Sequence, residues 1–466
     1  MLVPLLFLKG KRKTMKKIEQ DEKLDLTKGS VPKKLITFAV PLLLANLLQS
    51  FYGIVDMLVV GRFVGETGLA GISNASMISF IINSICIGIT MGGTVLIARY
   101  KGANNEQGQS ETIGTLFTVS LISSVIVTVI SLFIYKPLFL LLHVPEDAMK
   151  DACEYMKIIC CGTVFVFGYN AVCSIMKGFG DSKSPLYFVG IAAFANVFFD
   201  LLFVGPLGLG TKGAAYATIF SQGISLVISV IHLKRRNFIF DFKISHFAIK
   251  PDKLTGIMKV GLPTAIQMIV VNISYLLITG MLNQFGVSVA AAAGVGLKVN
   301  TFAGMPCWAI GQAVTAMAGQ NIGAKNIERV KETTKTGIFL NIVITFIVII
   351  IVQLLAEPII MLFDPKNADV LKEGILYLRL CCSVNSLMYA FMYTLDSFAI
   401  GVGSANIAMF NALLDAVIVR LPVSWFFAFL LGYGSVGIYL GQALSPVLPA
   451  AVGFIYFKRK SWQKTD

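Results

Sequence analysis

Four oxygen-bearing side chains lie inside apolar stretches of the first half of the chain. Asp56 lies in FAVPLLLANLLQSFYGIVDMLVVGRFVG (38–65), a run long enough to cross a bilayer. Asp200 follows Asn196 by four residues in another such run, and Thr218 lies in the next. A carboxylate at the bilayer centre costs at least about 2.5–3.5 kcal/mol, so we expect Asp56 to meet a partner, a water-filled cavity or an ion.

The depth of these side chains follows from the direction in which each predicted helix crosses the membrane. The first and fifth spans run the same way, and Asp56 and Asp200 lie near their outer ends. Asn196 is one turn deeper than Asp200 on the same face, and Gln49 is two turns deeper than Asp56. The sixth span runs back, which brings Thr218 to a similar level. We therefore expect one polar cluster from three helices.

The chemistry of this cluster is that of a site for a small cation. Two carboxylates close together in a medium of low dielectric cannot both ionise comfortably, so Asp56 and Asp200 are expected to bind a proton. With Asn196 and Thr218 as neutral ligands, the same oxygens suit Na⁺. The alternative is that each acid is structural and is satisfied by a neighbouring amide or hydroxyl. The sequence leaves the choice between H⁺ and Na⁺ open, and predicts no other metal and no cofactor.

The composition indicates an all-α polytopic membrane protein. Apolar residues make up 56% of the 466 residues and charged residues only 14%. Apolar runs of about twenty residues recur from end to end, as transmembrane helices require. We predict twelve spans, at 35–60, 71–99, 111–135, 152–177, 185–204, 213–233, 256–282, 289–318, 335–356, 370–399, 405–431 and 435–457.

The same composition argues against an enzyme and against a nucleic-acid-binding protein. The eight cysteines lie almost entirely within apolar runs, and the three histidines lie at membrane edges or in a linker, so no hydrolytic triad can be assembled. The net charge of +14 is concentrated in the loops on the side of the two termini. This bias predicts a multi-pass protein of the cytoplasmic (inner) membrane with both termini in the cytoplasm.

Five pairs of short motifs recur at an offset of 221 to 223 residues. They are Ala39-Val40-Pro41 and Gly261-Leu262-Pro263, Gly102-Ala103 and Gly323-Ala324, Lys136-Pro137 and Glu357-Pro358, YMKIICC (155–161) and YLRLCC (377–382), and Gly178/Gly180 and Gly401/Gly403. Five coincidences in one order predict two pseudo-symmetric six-helix lobes. Because each lobe has an even number of helices, the repeats are parallel, which is typical of a transporter with a cavity between its lobes.

The predicted boundaries follow from the spans and the repeat. A cytoplasmic segment (1–34), with Met1 or Met15 as the start, precedes the first lobe (35–235). The linker (236–254) alternates apolar with basic residues and is expected to lie along the inner membrane interface, the alternative being a solvated loop. The second lobe (255–457) and a cytoplasmic tail (458–466) follow.

The repeat also supplies an internal control for the cluster. At the same offset the positions of Asp56, Asp200 and Thr218 carry apolar residues or glycine, namely Ile278, Pro422 or Val423, and Leu440 or Gly441. The second lobe thus retains the spans without the cluster. Since helix packing alone does not require that asymmetry, it favours the functional interpretation of the acids.

The stretch KGSVPKKLITFAVPLLLANLLQSFYGIVDMLVVGRFVGE and the motif NVFFDLLF (196–203) resemble the first and fifth spans of the multidrug and toxic compound extrusion (MATE) family of the MOP superfamily. The resemblance extends from about Asp25 onward and is greatest to the DinF-like branch. It implies a first-lobe cation site at the matching positions, with Pro41 as the bending proline: Asp56, Asn196, Asp200 and Thr218, alongside Gln49. The NorM-like branch relies on acids in spans seven and ten, and span seven here contains no acid.

Several further side chains within the predicted membrane region have two interpretations each. A stripe in span ten is either a surface for cationic substrates or packing: Tyr389, Met392, Tyr393 and Asp396. Lys298 is expected to meet an anionic group or to snorkel towards water. Asp415 and Arg420 of span eleven are candidates for ion pairs that line the central cavity, although their five-residue spacing places them on different faces of an α-helix.

The predicted function is secondary active efflux. Inward flow of H⁺ or Na⁺ would drive the export of small amphipathic, often cationic, organic compounds, and the protein is expected to work as a monomer in the lipid bilayer. The alternative is a lipid or oligosaccharide flippase of the same superfamily, which needs a strongly cationic central cavity.

Overall fold

The computed structural model describes residues 24–141, 144–235, 239–362, 367–459 and 461–464. The choice between Met1 and Met15 and most of the predicted N-terminal segment lie outside these residues. So do the first residues of the predicted linker and the end of the tail. Within the described ranges the regular elements are all helices.

The first lobe contains six spans, which we number α1 to α6. Their bounds are Val31–Phe63 for α1, Glu66–Gly102 for α2, Glu106–Leu141 for α3, the pair Glu146–Cys161 and Thr163–Gly178 for α4, Lys183–Val204 for α5 and Gly210–Arg235 for α6. A short 3₁₀ turn, Ile244–Phe247, lies in the linker.

The second lobe repeats this order with α7 to α12. Their bounds are Pro251–Asn283 for α7, Val287–Gly323 for α8, Ile327–Leu354 for α9, the pair Ala368–Cys381 and Val384–Gly401 for α10, Ala405–Leu430 for α11 and Ser435–Arg459 for α12. A short helix, Ala356–Met361, follows α9. Counting each bent pair as one span, the described part of the chain has the twelve predicted spans in two six-helix lobes.

The fourth span of each lobe is broken, which the sequence did not predict. The two halves of α4 meet at 50° and those of α10 at 48°. The breaks directly follow the repeated motifs that end at Cys161 and Cys382. Gly162 separates the halves of α4, whereas at the break in α10 the Asn385 side chain accepts a hydrogen bond from the backbone N–H of Ser383 (3.1 Å). The breaks lie in apolar runs, so hydropathy alone predicts continuous helices there.

The membrane spans bury their polar side chains and leave large apolar side chains exposed on the outer surface. On α5 the buried residues recur at helical spacing and include Val189, Asn196 and Asp200, whereas Phe194 and Phe198 on the other face are exposed. This arrangement suits a helix whose outer face meets lipid, because hydrocarbon solvates phenylalanine but not a carboxylate.

The two lobes contact each other through closely packed backbones. An added Cβ at Gly102 would clash with the backbone oxygen of Gln320, and one at Gly323 would clash with that of Arg99. These two contacts are related by the repeat offset, so the lobes meet through a pseudo-symmetric pair of crossings between α2 and α8. Gly92 lets α2 approach the backbone of Ile257 on α7 in the same way.

Hydrogen bonds between the lobes concentrate at the end of the bundle that carries both ends of the described chain, which we call the terminal face. The Gln320 side chain accepts from the backbone N–H of Leu26 (3.0 Å) and donates to the backbone oxygen of Gly178 (3.0 Å). The Arg99 guanidinium donates to the backbone oxygen of Val402 (3.0 Å). Residues just before α1 are thus held between the lobes.

Helix α1 belongs to both lobes. Its first half packs in an apolar cluster with α8 and with Trp462 after α12, through Leu35, Phe38 and Leu42. Its second half packs along α5 in the core of the first lobe. The helix continues through Pro41, which is buried near the end of the first of these two regions.

The described part of the linker packs against the first lobe. Phe240, Phe242 and Phe247 surround Phe117 of α3, with ring centroids 6.0–6.1 Å away. The Thr118 hydroxyl donates to the backbone oxygen of Phe247 (2.5 Å). The linker is therefore more than a solvated loop.

Candidate ion-binding site

The structure brings Asp56 of α1 and Asp200 of α5 together inside the first lobe. Their carboxyl groups lie within hydrogen-bonding reach of each other. The exposed fraction is 9% for Asp56, 0% for Asp200 and 1% for Asn196, one turn along α5. Asp56, Asp200 and Asn196, which helix direction and periodicity predicted to lie together, are thus buried in one region of the first lobe.

Most polar atoms of this site lack a hydrogen-bond partner among the described residues. Asp56 Oδ1, both carboxylate oxygens of Asp200 and both amide atoms of Asn196 are buried without a hydrogen-bond partner among the described residues. Two ionised carboxylates can only accept, so Asp56 and Asp200 form a hydrogen bond only when one carries a proton. An ionised pair in this position would be costly unless a cation lay between the oxygens.

Thr218 of α6 joins the site through a tyrosine that the sequence analysis missed. The Thr218 hydroxyl donates to the backbone oxygen of Ala214 (3.1 Å) and lies within hydrogen-bonding reach of the Tyr155 hydroxyl. Tyr155 is buried on the first half of α4 and lies close enough to both carboxyl groups to interact with them electrostatically. The site therefore draws on four helices.

Gln49 lies apart from this group. Its side chain is exposed and is hydrogen-bonded to Tyr52, one turn from Asp56 on α1. Among the described residues it is linked to the carboxyl pair through Tyr52, which is close enough to Asp56 to interact with it electrostatically.

The second-lobe position equivalent to Asp56 lies in the apolar core, whereas Pro422, at the position of Asp200, is exposed. Ile278, at the repeat position of Asp56, is fully buried with Leu282 and Ala293. The predicted asymmetry between the lobes is therefore present in the packing.

The candidate substrate residues of α10 lie in two different environments, a stacked aromatic pair and a buried group. Tyr389 and Tyr393 stack with ring centroids 5.9 Å apart, and the Trp308 indole donates to the Tyr389 hydroxyl (3.2 Å). Met392 and Asp396 are buried, and Asp396 accepts a hydrogen bond from the Asn411 amide (2.6 Å). Lys298 of α8 is exposed.

The expectation that Asp415 and Arg420 lie on different faces is wrong. Residues Leu414–Arg420 of α11 form a π-helix, in which residues five apart lie one above the other. The Arg420 guanidinium consequently donates to Asp415 within the same helix, and both side chains are buried. The ring of Tyr275 lies 4.6 Å from the guanidinium carbon.

Comparison with known proteins places this architecture in a family. A sequence model described as MatE matches residues 41–202 and again 263–426. The chain belongs to the MatE family. The first match contains Asp56 and Asp200, and the second begins at the repeat position of the first.

Two relatives from Bacillus subtilis cover most of the MatE chain. Over 344 residues it is 32% identical to "Probable multidrug resistance protein YoeA", covering 72% of this chain and 74% of the relative. Over 442 residues it is 27% identical to "Probable multidrug resistance protein YpnP", covering 94% and 97%.

A solved structure confirms the MatE fold. A MOP superfamily transporter from Pyrococcus furiosus superposes with a TM-score of 0.89 at 21% sequence identity, over 95% of this chain and 99% of that one. The all-α fold with twelve transmembrane helices is therefore established.

Proposed function

We propose that the protein is a secondary active antiporter that exports small amphipathic, often cationic, organic compounds in exchange for H⁺ or Na⁺. The observation that carries the proposal is the buried pair Asp56 and Asp200, of whose four carboxyl oxygens three lack a hydrogen-bond partner among the described residues. The names of the two relatives as multidrug resistance proteins support the substrate class. No catalytic role is proposed.

Ion binding would act on α1. When a proton or Na⁺ occupies the site, α1 and α5 pack together through Asp56 and Asp200, with Asn196 and Thr218 as further oxygen donors for a cation. When the ion leaves, two negative charges face each other in a medium of low dielectric and repel. The outer half of α1 then moves away from α5.

The two-lobe packing of α1 would transmit this movement. Its first half is held against α8 by Leu35 and Phe38, on the far side of Pro41 from Asp56, and by Leu42 directly after the proline. Because proline removes a backbone hydrogen bond, Pro41 is the proposed hinge between the two regions. Ion and substrate favour different arrangements of the lobes, and that difference supplies the coupling.

The membrane placement follows the charge bias. If both termini lie in the cytoplasm, the terminal face is the cytoplasmic face of the inner membrane protein. The hydrogen bonds of Gln320 and Arg99 between the lobes would then close the pathway at that face. This arrangement would leave the pathway between the lobes accessible from outside. A monomer contains every residue that the proposal requires.

The aromatic pair of α10 suits cationic substrates. Tyr389 and Tyr393 present stacked faces, and a quaternary or protonated amine is attracted to such faces. The flippase alternative requires cationic groups in the pathway, and Arg420 is neutralised by Asp415 inside the second lobe. Lys298 remains available as an exposed cation.

The test is efflux of a cationic dye from proteoliposomes with separately imposed proton and sodium gradients. We expect uphill dye movement under one gradient only, which names the coupling ion. Dye that moves under neither gradient, together with translocation of labelled lipid, would replace the antiporter by the flippase.

A further inference from the structure

The second lobe contains a buried acid that the coupling site does not use. Asp396 of α10 is 2% exposed, and Asn411 of α11 is 0% exposed. The Asn411 amide nitrogen donates to Asp396 Oδ1 at 2.6 Å. The amide oxygen of Asn411 is buried without a hydrogen-bond partner among the described residues.

The charge near Asp396 does not balance if this acid is ionised. Two acids, Asp396 and Asp415, and one base, Arg420, lie in this part of the lobe. The π-helix pairs Arg420 with Asp415, and the guanidinium also approaches the hydroxyls of Ser274 and Ser445 (3.4 Å each). The charge of Arg420 is thus already paired with that of Asp415, so an ionised Asp396 would leave one negative charge uncompensated.

The elements packed around Asp396 present neutral groups to it and its neighbours. On α8, Thr315 donates to the Ser397 backbone oxygen (2.8 Å), and on α9, Asn341 donates to Thr394 (2.7 Å). On α12, Gly453 lies against Leu395. Among the described residues, the ionisable groups that interact with Asp396 are Tyr393 on its own helix and Asp415 on α11, and the second is itself an acid.

We propose that the second lobe binds a proton at Asp396, held there as a carboxylic acid–amide pair with Asn411. In such a pair the amide N–H donates to one carboxyl oxygen, and the carboxyl O–H donates to the amide oxygen. The first bond is present at 2.6 Å, and the proton supplies the donor that the Asn411 oxygen lacks. A neutral acid also removes the cost of an unpaired charge in the membrane.

Infrared difference spectroscopy of the purified full-length protein in lipid nanodiscs tests this proposal without any transport assay. A protonated carboxyl absorbs at a carbonyl frequency well separated from that of a carboxylate. We expect a protonated-carboxyl band at neutral pH in wild type that Asp396→Asn removes. Asp200→Asn, which alters the first-lobe site, should leave this band in place.

A second variant guards against misfolding of Asp396→Asn. Asn411→Leu removes both hydrogen bonds of the pair but leaves the acid, so the band should remain and shift in frequency. The proposal is overturned if the wild-type band survives Asp396→Asn, if Asn411→Leu leaves its frequency unchanged, or if added Na⁺ abolishes it, since that last result indicates a cation site.

Discussion

Tyr155 is the residue of the candidate site that a single sequence does not reveal. A buried carboxylate is visible in sequence because charge is costly in an apolar run, and Asp56 and Asp200 were predicted on that ground. Tyrosine is common in transmembrane spans, and the second lobe has its own at the repeat position, Tyr377. The contact with Thr218 follows from the packing of α4 on α6, which no periodicity within one span specifies.

Tyr155→Phe is expected to lower the rate of coupled transport several-fold, because it removes the hydroxyl that reaches Thr218 and interacts electrostatically with the carboxyl pair. The matched control is Tyr377→Phe. The Tyr377 hydroxyl is buried without a partner among the described residues, so its removal should be neutral or stabilising. Initial rates of dye efflux measure both variants. Equal rates for the two would remove Tyr155 from the site.

At the scale of the helix, hydropathy predicts where the spans lie but not their internal irregularities. The breaks in α4 and α10 and the π-helix of α11 all lie within apolar runs. These irregularities arise from hydrogen bonding of individual backbone groups, to which hydropathy is insensitive. With α-helical geometry, the five-residue spacing places Asp415 and Arg420 on different faces, whereas in the π-helix it places them on the same face.

The ion pair of α11 predicts a non-additive pair of substitutions. Arg420→Met should destabilise the protein by about 3–5 kcal/mol, because it leaves Asp415 buried without its partner. Asp415→Leu should be similarly harmful, since it leaves the guanidinium unpaired. The double variant should recover most of the loss, as measured by thermal unfolding in detergent. Additive losses would mean that the two side chains do not stabilise the helix as a pair.

At the scale of the whole molecule, the internal repeat predicted the architecture and the asymmetry of function between the lobes. The two crossings at Gly102 and Gly323 show the same pseudo-symmetry in the packing. The sequence did not predict which face of the bundle is closed. That depends on contacts between lobes, such as Leu26 with Gln320, that are distant along the chain.

Gly323→Ala is expected to lower the melting temperature, because the new Cβ meets the Arg99 backbone and pushes the lobes apart at the terminal face. Gly190→Ala on α5 is the matched control. No atom lies within 4 Å of the added Cβ there, so the better helix propensity of alanine should raise stability, by up to about 1 kcal/mol. Thermal unfolding of both variants should give shifts of opposite sign. Stabilisation by both substitutions would contradict the close crossing.

The central claim is that Asp56 and Asp200 carry the coupling ion, and Asp200→Asn tests it most directly. Efflux of a cationic dye would be measured in proteoliposomes, first against its gradient with an imposed ion gradient and then as exchange without one. The control is Asp151→Asn, an acid of the same lobe that accepts a hydrogen bond from Thr211 outside the site. We predict that Asp200→Asn abolishes uphill efflux and retains exchange, whereas the control retains both. Uphill efflux by Asp200→Asn at the wild-type rate would contradict the account.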